Sequence, residues 1–358
     1  MGGHPDGGLV RAHATSFAPV QPGPPIGRVQ REEREEALLR DGATLARGAG
    51  NRVQAEEADP ERTCFERDRD RIVHSTAFRR LAGKTQVVVY PTDHQRTRLT
   101  HALEVAQVAT SIARGAGVNV ALADAIALGH DCGHGPGGHA SEDAFDAFIP
   151  GGYDHGPWGA DVVLTDLNLC LETLDGIRNH SWSRPAPSTV EGEIVSWADR
   201  IAYCAHDLED AVHAGIVDLA NLPPEIADVA GRGRREQLNV FVHAVISAIT
   251  THGEVGMAAA PAQALSALRA FNYERIYVRP ESLAQSRAVV DVLRALVEFY
   301  VATPTAMPVP GALDVDAGSE AAVRAAVTYV AGMTDRYAFR TAVTELGWDE
   351  HRLPRGIS

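Results

Sequence analysis

The chain has 358 residues, 45% of them hydrophobic, and carries 33 Lys and Arg against 47 Asp and Glu, a formal charge of −14. That length and apolar content can bury a large core. The acidic balance argues against a protein that coats nucleic acid, which needs a basic footprint. No apolar run approaches the roughly twenty residues of a membrane span.

Residues 1–30 open the chain. Met1 to about Arg28 is rich in Gly and Pro without apolar periodicity, which predicts a disordered leader. It lacks the basic and apolar regions of a signal peptide. Arg31 to Arg40 is charge-dense, as in a solvated helix or a continuation of the leader. From residue 31 to 358 no linker or repeat interrupts the pattern, so a single helical domain is expected. Arg62, Arg67, Arg69, Arg71, Arg79 and Arg80 form a basic run, expected to pair mostly with Glu66, Asp68 and Asp70. Thr85 to Tyr90, closed by Pro91, is the one clear β-branched run. Four scattered cysteines without a C-x-x-C pair suggest reduced thiols and a cytoplasmic protein. Cys132 is expected to be a small packing residue.

The middle of the chain carries the chemistry. His101, Val105, Val108 and Ile112 fall on one helical face, and Gly115 to Gly117 should end that helix. Asn119 is a plausible cap for the next one, in which Leu122 and Ile126 keep register with His130. Adjacent His130 and Asp131 can face one ion only where a helix ends and the turn aims both side chains together. His101 upstream and Asp199 downstream complete a mixed nitrogen and oxygen set suited to Mn, Fe, Ni, Zn or Co. Asp199 sits in a segment whose core stripe is Ile194, Ala198, Ile201, Ala205, Leu208 and Val212. Asp199, Tyr203 and Asp207 run beside that stripe, where they would line a cleft; Asp210 is expected on a solvated edge. Read alone, His101 also fits a satisfied core histidine.

The order Arg98-x-x-His101, His130-Asp131, Asp199 resembles the signature of the HD-domain phosphohydrolases. More specifically, five ordered blocks are similar to the bacterial deoxyguanosine-triphosphate triphosphohydrolase (dGTPase) family. They are Arg67 to Gln86, Arg98 to Arg114, the Gly-His-Asp-Cys-Gly-His run, Ala198 to Ala211, and Tyr329 to Tyr337. The resemblance covers about Arg62 to Ala338. It implies an all-α HD fold, with an HD core over approximately 96–215 and additional helices over 216–358. It also implies metal-dependent hydrolysis of a deoxynucleoside triphosphate to a deoxynucleoside and tripolyphosphate. The divalent ion (Mn, Mg, Fe, Ni, Co or Zn) would sit on His101, His130, Asp131 and Asp199. His139 and Glu142 match a catalytic histidine–carboxylate pair, and His155 a general acid near the leaving 5′ oxygen. His134 and Arg200 are phosphate candidates, and Arg98 matches a contact to the α-phosphate. Gln86 matches a sugar-edge residue, Tyr203 a ring against the deoxyribose, and Asp207 an acceptor for the 3′-hydroxyl.

Two local departures stand out. Many members read His-Pro-Pro-Phe-Gly-His where this chain has His134-Gly-Pro-Gly-Gly-His139, which removes a ring beside the catalytic histidine. Some carry Lys-Tyr-Pro-Trp for triphosphate binding, where this chain has Asn179-His180-Ser181-Trp182, so other cations must hold the distal phosphates. Phe271 to Tyr277 and Thr334 to Tyr337 are placed near a base pocket or a subunit boundary. The family pattern further implies a homo-oligomer and a possible activating nucleotide, with nucleic acid at most regulatory. Two other readings compete: an HD-type nucleotidase or phosphodiesterase on another phosphoester, and a nucleotide-sensing regulator of low turnover.

Overall fold

Local sequence explains where the helices start and stop. Thr63 and Glu66 close a reciprocal capping box over residues 64–66. Asn119 accepts from the backbone N–H groups of Ala121 and Leu122, as its sequence position predicts. Gly117, at φ 74°, takes the left-handed turn that ends the helix before it. A computed structural model of the protein describes residues 2–15, 20–87, 95–309 and 314–354.

Among the described residues the fold is all-α, with fifteen helices. In chain order they are α1 (Arg28–Leu38), α2 (Cys64–His74), α3 (Thr76–Arg80), α4 (Arg98–Ala116), α5 (Val120–Gly129), α6 (His139–Phe145), α7 (His155–Trp158) and α8 (Leu171–Asn179). After them come α9 (Val190–His213), α10 (Pro224–Ala230), α11 (Arg234–His252), α12 (Ala259–Asn272), α13 (Pro280–Ala302), α14 (Glu320–Ala331) and α15 (Asp335–Leu346). Helix α4 packs against α5, α9 and α11, and α5 also meets α2 and α8. Their inner faces meet in one apolar cluster that includes Ile72, Val105, Ile126, Ile177 and Ile201. A second cluster joins α6 to α13, α14 and α15 through Phe145, Leu293, Val330 and Phe339. The metal-ligating candidates sit on α4 and α9 and directly after α5, helices of the first cluster, and the loop before α6 packs against the second.

Polar contacts brace the same loop. The Lys84 ammonium, fully buried, donates to the carbonyls of His134 and Ala331. Burial lowers its pKa to about 8. The Asp335 carboxylate accepts from Thr85 N at 3.0 Å and from Gly137 N at 2.8 Å. The histidine loop is thereby tied to the start of α15.

Several expectations take a different form. The segment expected to be a disordered leader includes a short antiparallel hairpin, His4–Asp6 with Leu9–Arg11. Of the expected Thr85–Tyr90 strand, Thr85 makes an isolated bridge to Thr97 and Gln86 and Val87 form a bend; residues 88–90 lie outside the described residues. The basic run does pair with acids, but partly with other ones. Arg62 holds Asp59 and Asp70, Arg69 holds Asp70 and Asp124, and Arg71 holds Glu56. Asp68 instead faces Arg52 in the interior. Asp210 is not on a solvated edge, because it closes an ion-pair cluster with Arg96, Glu104 and Glu209. All four cysteines are buried free thiols.

Candidate metal centre and active site

The last residue of α5 is Gly129, so His130 and Asp131 occupy the turn that the adjacent pair requires. His130 Nδ1 lies 2.6 Å from the Ala127 carbonyl. A carbonyl only accepts, so Nδ1 carries the proton and Nε2 is left with a bare lone pair. That Nε2 is buried without any partner. It stands 3.4 Å from Asp131 Oδ1 and 3.7 Å from Asp199 Oδ1. His101 Nε2, from the first turn of α4, is 3.0 Å from the same Asp199 oxygen. Leaving a buried ring nitrogen unpaired costs about 1–3 kcal/mol. A cation among these donors removes that cost, and donor atoms of His101, His130 and Asp131 lie within 4.8 Å of one another. The residues therefore fit a divalent ion, with a backbone carbonyl fixing the ligand tautomer as metal-bound imidazoles require.

Charge is organised around Asp131. Burial alone would raise its pKa, but the Arg98 guanidinium and the neighbouring His130 and His134 rings hold it well below the usual carboxylate range. Arg98 Nη1 donates to Asp131 Oδ2 at 2.8 Å, while its Nε and Nη2 have no protein partner. His134 Nε2 lies 3.2 Å from Asp131 Oδ1. Burial, with Arg98 and His155 adding to it, keeps the His134 pKa well below its ordinary value.

Glu142, in the first turn of α6, receives three donors. They are His139 Nδ1 at 2.7 Å, His155 Nδ1 at 2.7 Å and the His155 backbone N–H at 3.1 Å. Burial would raise the Glu142 pKa; the hydrogen bonds from both rings override it and hold the carboxylate ionised. For His155, burial lowers the pKa, but the Glu142 hydrogen bond and charge prevail and raise it. The two rings differ in access. The His139 side chain is 74% exposed and that of His155 only 9%. His155 also points inward, with Nε2 3.0 Å from His180 Nε2. The fit is close: a Cβ on Gly133 would stand 2.0 Å from the His155 carbonyl oxygen.

One cavity of about 420 Å³ collects these groups. His101, Asp131 and Asp199 form part of its wall, with His134, His139 and His155 beside them. Gln86, Arg98, Arg200, Tyr203 and Asp207 line it as well. His130 and Glu142 stand behind this lining: Glu142 is bonded to His139 and His155 within it, and His130 Nε2 lies 3.4 Å from Asp131 Oδ1. A larger cavity of about 900 Å³, between Arg80, Arg324 and Tyr337, holds none of these residues. Where many members have the Phe this chain leaves no room for a side chain: a Cβ on Gly137 would meet Val289 at 2.4 Å, and one on Gly138 would meet Arg98 at 2.6 Å. Asn179, where some relatives have Lys, donates to Asp175 and does not line the cavity. The cations that do line it are Arg98, Arg200 and Arg269, with the Arg200 guanidinium 3.4 Å over the Trp182 ring.

The same cavity contains Arg269 and His180, to which sequence reasoning gave no role, and Tyr277, from the segment expected near a base pocket or a subunit boundary. Arg269 donates to the Tyr203 hydroxyl at 3.1 Å, and the Tyr277 hydroxyl donates to Asp207. His180 is buried directly after α8. The detectable signal was positional, because His180 follows its helix as His130 follows α5.

Comparison with known proteins agrees with this architecture. Residues 98–204 match the HD domain and residues 255–343 match the phosphohydrolase-associated domain. The chain is 39% identical over 315 residues to a deoxyguanosinetriphosphate triphosphohydrolase-like protein of Caldanaerobacter subterraneus, covering 86% of this chain and 92% of that one. A protein of the same description from Clostridium perfringens is 38% identical, over 86% and 93% of the two chains. One from Ruegeria is 33% identical, over 83% and 96%. The chain belongs to the deoxyguanosinetriphosphate triphosphohydrolase-like family. It is a metal-dependent phosphohydrolase of the HD class. Among the described residues no helix is long and apolar enough to cross a membrane.

Proposed function

We propose that the protein hydrolyses a deoxynucleoside triphosphate between the 5′ oxygen and the α-phosphorus, releasing a deoxynucleoside and tripolyphosphate. The supporting observation is the single cavity, in which the buried His–Asp cluster shares a wall with candidate sugar-binding groups. The descriptions of the relatives name the same reaction class. A divalent ion on His101, His130, Asp131 and Asp199 supplies Lewis acidity and a more acidic water.

The chain's own residues divide the remaining work. Arg98, with Nη2 free, faces the α-phosphate and offsets charge that builds during attack. Arg200 and Arg269 serve the distal phosphates in place of the absent Lys. His139 gives its Nδ1 proton to the Glu142 hydrogen bond, which leaves Nε2 as a base at the exposed rim. It takes a proton from the attacking water, and His155, whose Nδ1 is held by Glu142 and whose pKa that carboxylate raises, gives one to the leaving 5′ oxygen. His134 has its Nε2 proton on Asp131 and only an acceptor left, so it positions Asp131 rather than gripping phosphate. Gln86 meets the sugar edge, Tyr203 packs on the deoxyribose where a 2′-hydroxyl would crowd it, and Asp207 meets the 3′-hydroxyl.

The test is incubation with each dNTP, alone and mixed, in Mn²⁺ and in Mg²⁺, with anion-exchange separation of products. Deoxynucleoside with intact tripolyphosphate supports the proposal; release of diphosphate or single phosphate refutes the bond assignment. Asp199→Ala is expected to lose both bound metal and turnover. An Asp199→Ala protein that kept both would remove Asp199 from the centre.

A further inference from the structure

We infer that Asp335, at the start of α15, is a positioning residue for the reaction: it sets the histidine loop so that His139 meets the attacking water, while metal binding does not depend on it. The inference rests on the reading of His139 as the base but not on which phosphoester is cut.

The loop needs a hold from outside. His139 follows Gly135-Pro136-Gly137-Gly138, and Gly137 and Gly138 both take positive φ, 73° and 65°. Glycine turns freely there, and for the same reason the run fixes nothing by itself. Ser141 joins Gly135 and Gly138 to α6, the helix that begins with His139, which makes loop and helix one piece. The hold on that piece comes from far along the chain. Asp335 is buried, and its two oxygens divide the work. Oδ1 accepts from Gly137 N at 2.8 Å, and Oδ2 accepts from Thr85 N at 3.0 Å and from the Thr85 hydroxyl. Lys84 secures the other end of the loop, donating to the carbonyls of His134 and Ala331.

Lys84 and Thr85 are fixed in turn to the start of α4. Arg98 N donates to the Lys84 carbonyl at 3.2 Å, and Thr85 bridges to Thr97. These parts meet closely at Gly138, where a Cβ would stand 2.6 Å from Arg98 Nη2 and 3.0 Å from the Thr85 carbonyl oxygen. One carboxylate thus sets the base, through Gly137, against the guanidinium that faces the α-phosphate, through Thr85. None of its hydrogen bonds goes to His101, His130, Asp131 or Asp199, which sit on α4, on α9 and in the turn after α5. Asp335 falls in the phosphohydrolase-associated segment, residues 255–343, and the metal cluster in the HD segment, residues 98–204. The associated segment therefore acts on the reaction through the loop and not through the ion. Displacing a catalytic group by about 1 Å can cost about 10² in rate.

The test compares wild type, Asp335→Ala, His139→Ala and the double variant, all loaded with Mn²⁺. Metal per chain is measured by mass spectrometry. The constants kcat and KM are measured with the best dNTP, or with bis(p-nitrophenyl) phosphate if no dNTP is turned over. Asp335→Ala is expected to keep its metal and KM and to lose about 10² in kcat. Because Asp335 works through His139, adding the change to His139→Ala should lower kcat no further. Asp335→Asn, with one accepting end left, should fall between wild type and Asp335→Ala. An equal fold loss in both backgrounds overturns the inference, as does a kcat that falls only in step with lost metal. Should Asp335→Ala not fold, Thr85→Val decides, since it removes a single hydrogen bond of the tie. A several-fold lower kcat with metal retained supports the inference, and an unchanged kcat overturns it. A His139→Ala protein with wild-type kcat would remove the base itself and the inference with it, a failure visible in that single variant alone.

Discussion

Replacing Glu142 with Gln tests the proton-handling half of the site without changing its shape. The carboxylate accepts from His155 through both ring and backbone and from His139 through its ring. An amide has one accepting end. It will turn its oxygen to the two His155 donors and its NH2 toward His139 Nδ1. That ring must then accept at Nδ1 and carry its proton on Nε2, the atom that serves as base. Two charge-assisted hydrogen bonds also become neutral ones, each weaker by about 1 kcal/mol. A general base of this kind contributes roughly 10²–10⁴ in rate. We therefore expect kcat of Glu142→Gln to fall by about 10²–10⁴ with KM changed only a few fold. Steady-state hydrolysis of the best dNTP is measured across pH, with circular dichroism confirming the fold. A kcat within about threefold of wild type would refute the assignment of His139 as base.

Two further outcomes concern stability. Arg52 and Asp68 form an ion pair at 2.6 Å with both side chains almost fully buried, and Asp68 also accepts from Cys170 N and Thr173 Oγ1. Asp68→Ala leaves Cys170 N and Thr173 Oγ1 without their acceptor, while Arg52 keeps Glu56 at 2.8 Å and the carbonyls of Ala49, Asn168 and Cys64, so urea unfolding should show a loss of about 1–3 kcal/mol; an unchanged stability contradicts this account. Burial pushes the Asp207 carboxyl up to about 7, against the opposing pull of the Tyr277 hydroxyl and His101. A raised folded pKa means that the unfolded chain gives up this proton first as pH rises. Asp207 therefore subtracts stability progressively between about pH 4 and pH 7. In metal-free protein, Asp207→Asn should remove up to about 4 kcal/mol of that decline, and an identical pH dependence in both proteins would exclude the effect.

The helices and the metal cluster were legible because their signals are local. Asn119 caps where it should, His101 and Asp199 lie on helices beside their apolar stripes, and His130 sits in the turn after α5; the adjacent His130–Asp131 pair is what lifted His101 above a core reading. Fold class and the five family blocks reinforced each other along most of the chain. What stayed hidden depends on contacts between distant segments. The contact of His180 with His155, 25 residues earlier, appears only once α8 is in place. Asp210 looked exposed because nothing in its own helix reveals Arg96, 114 residues away. The close packing of the Gly137–Gly138 turn against Val289 and Arg98 is likewise tertiary and leaves no local signal.

The polar anchorage of the histidine loop also has a consequence during synthesis. Gly137 is bound to Asp335, 198 residues later, and Thr85 to the same carboxylate across 250 residues. Chains grow from the N-terminus, and domains fold as they emerge. The ligand helices are therefore complete long before the loop that carries His139 can be fastened. A nascent chain would hold its ion early yet become hydrolytic only after the start of α15 has left the ribosome.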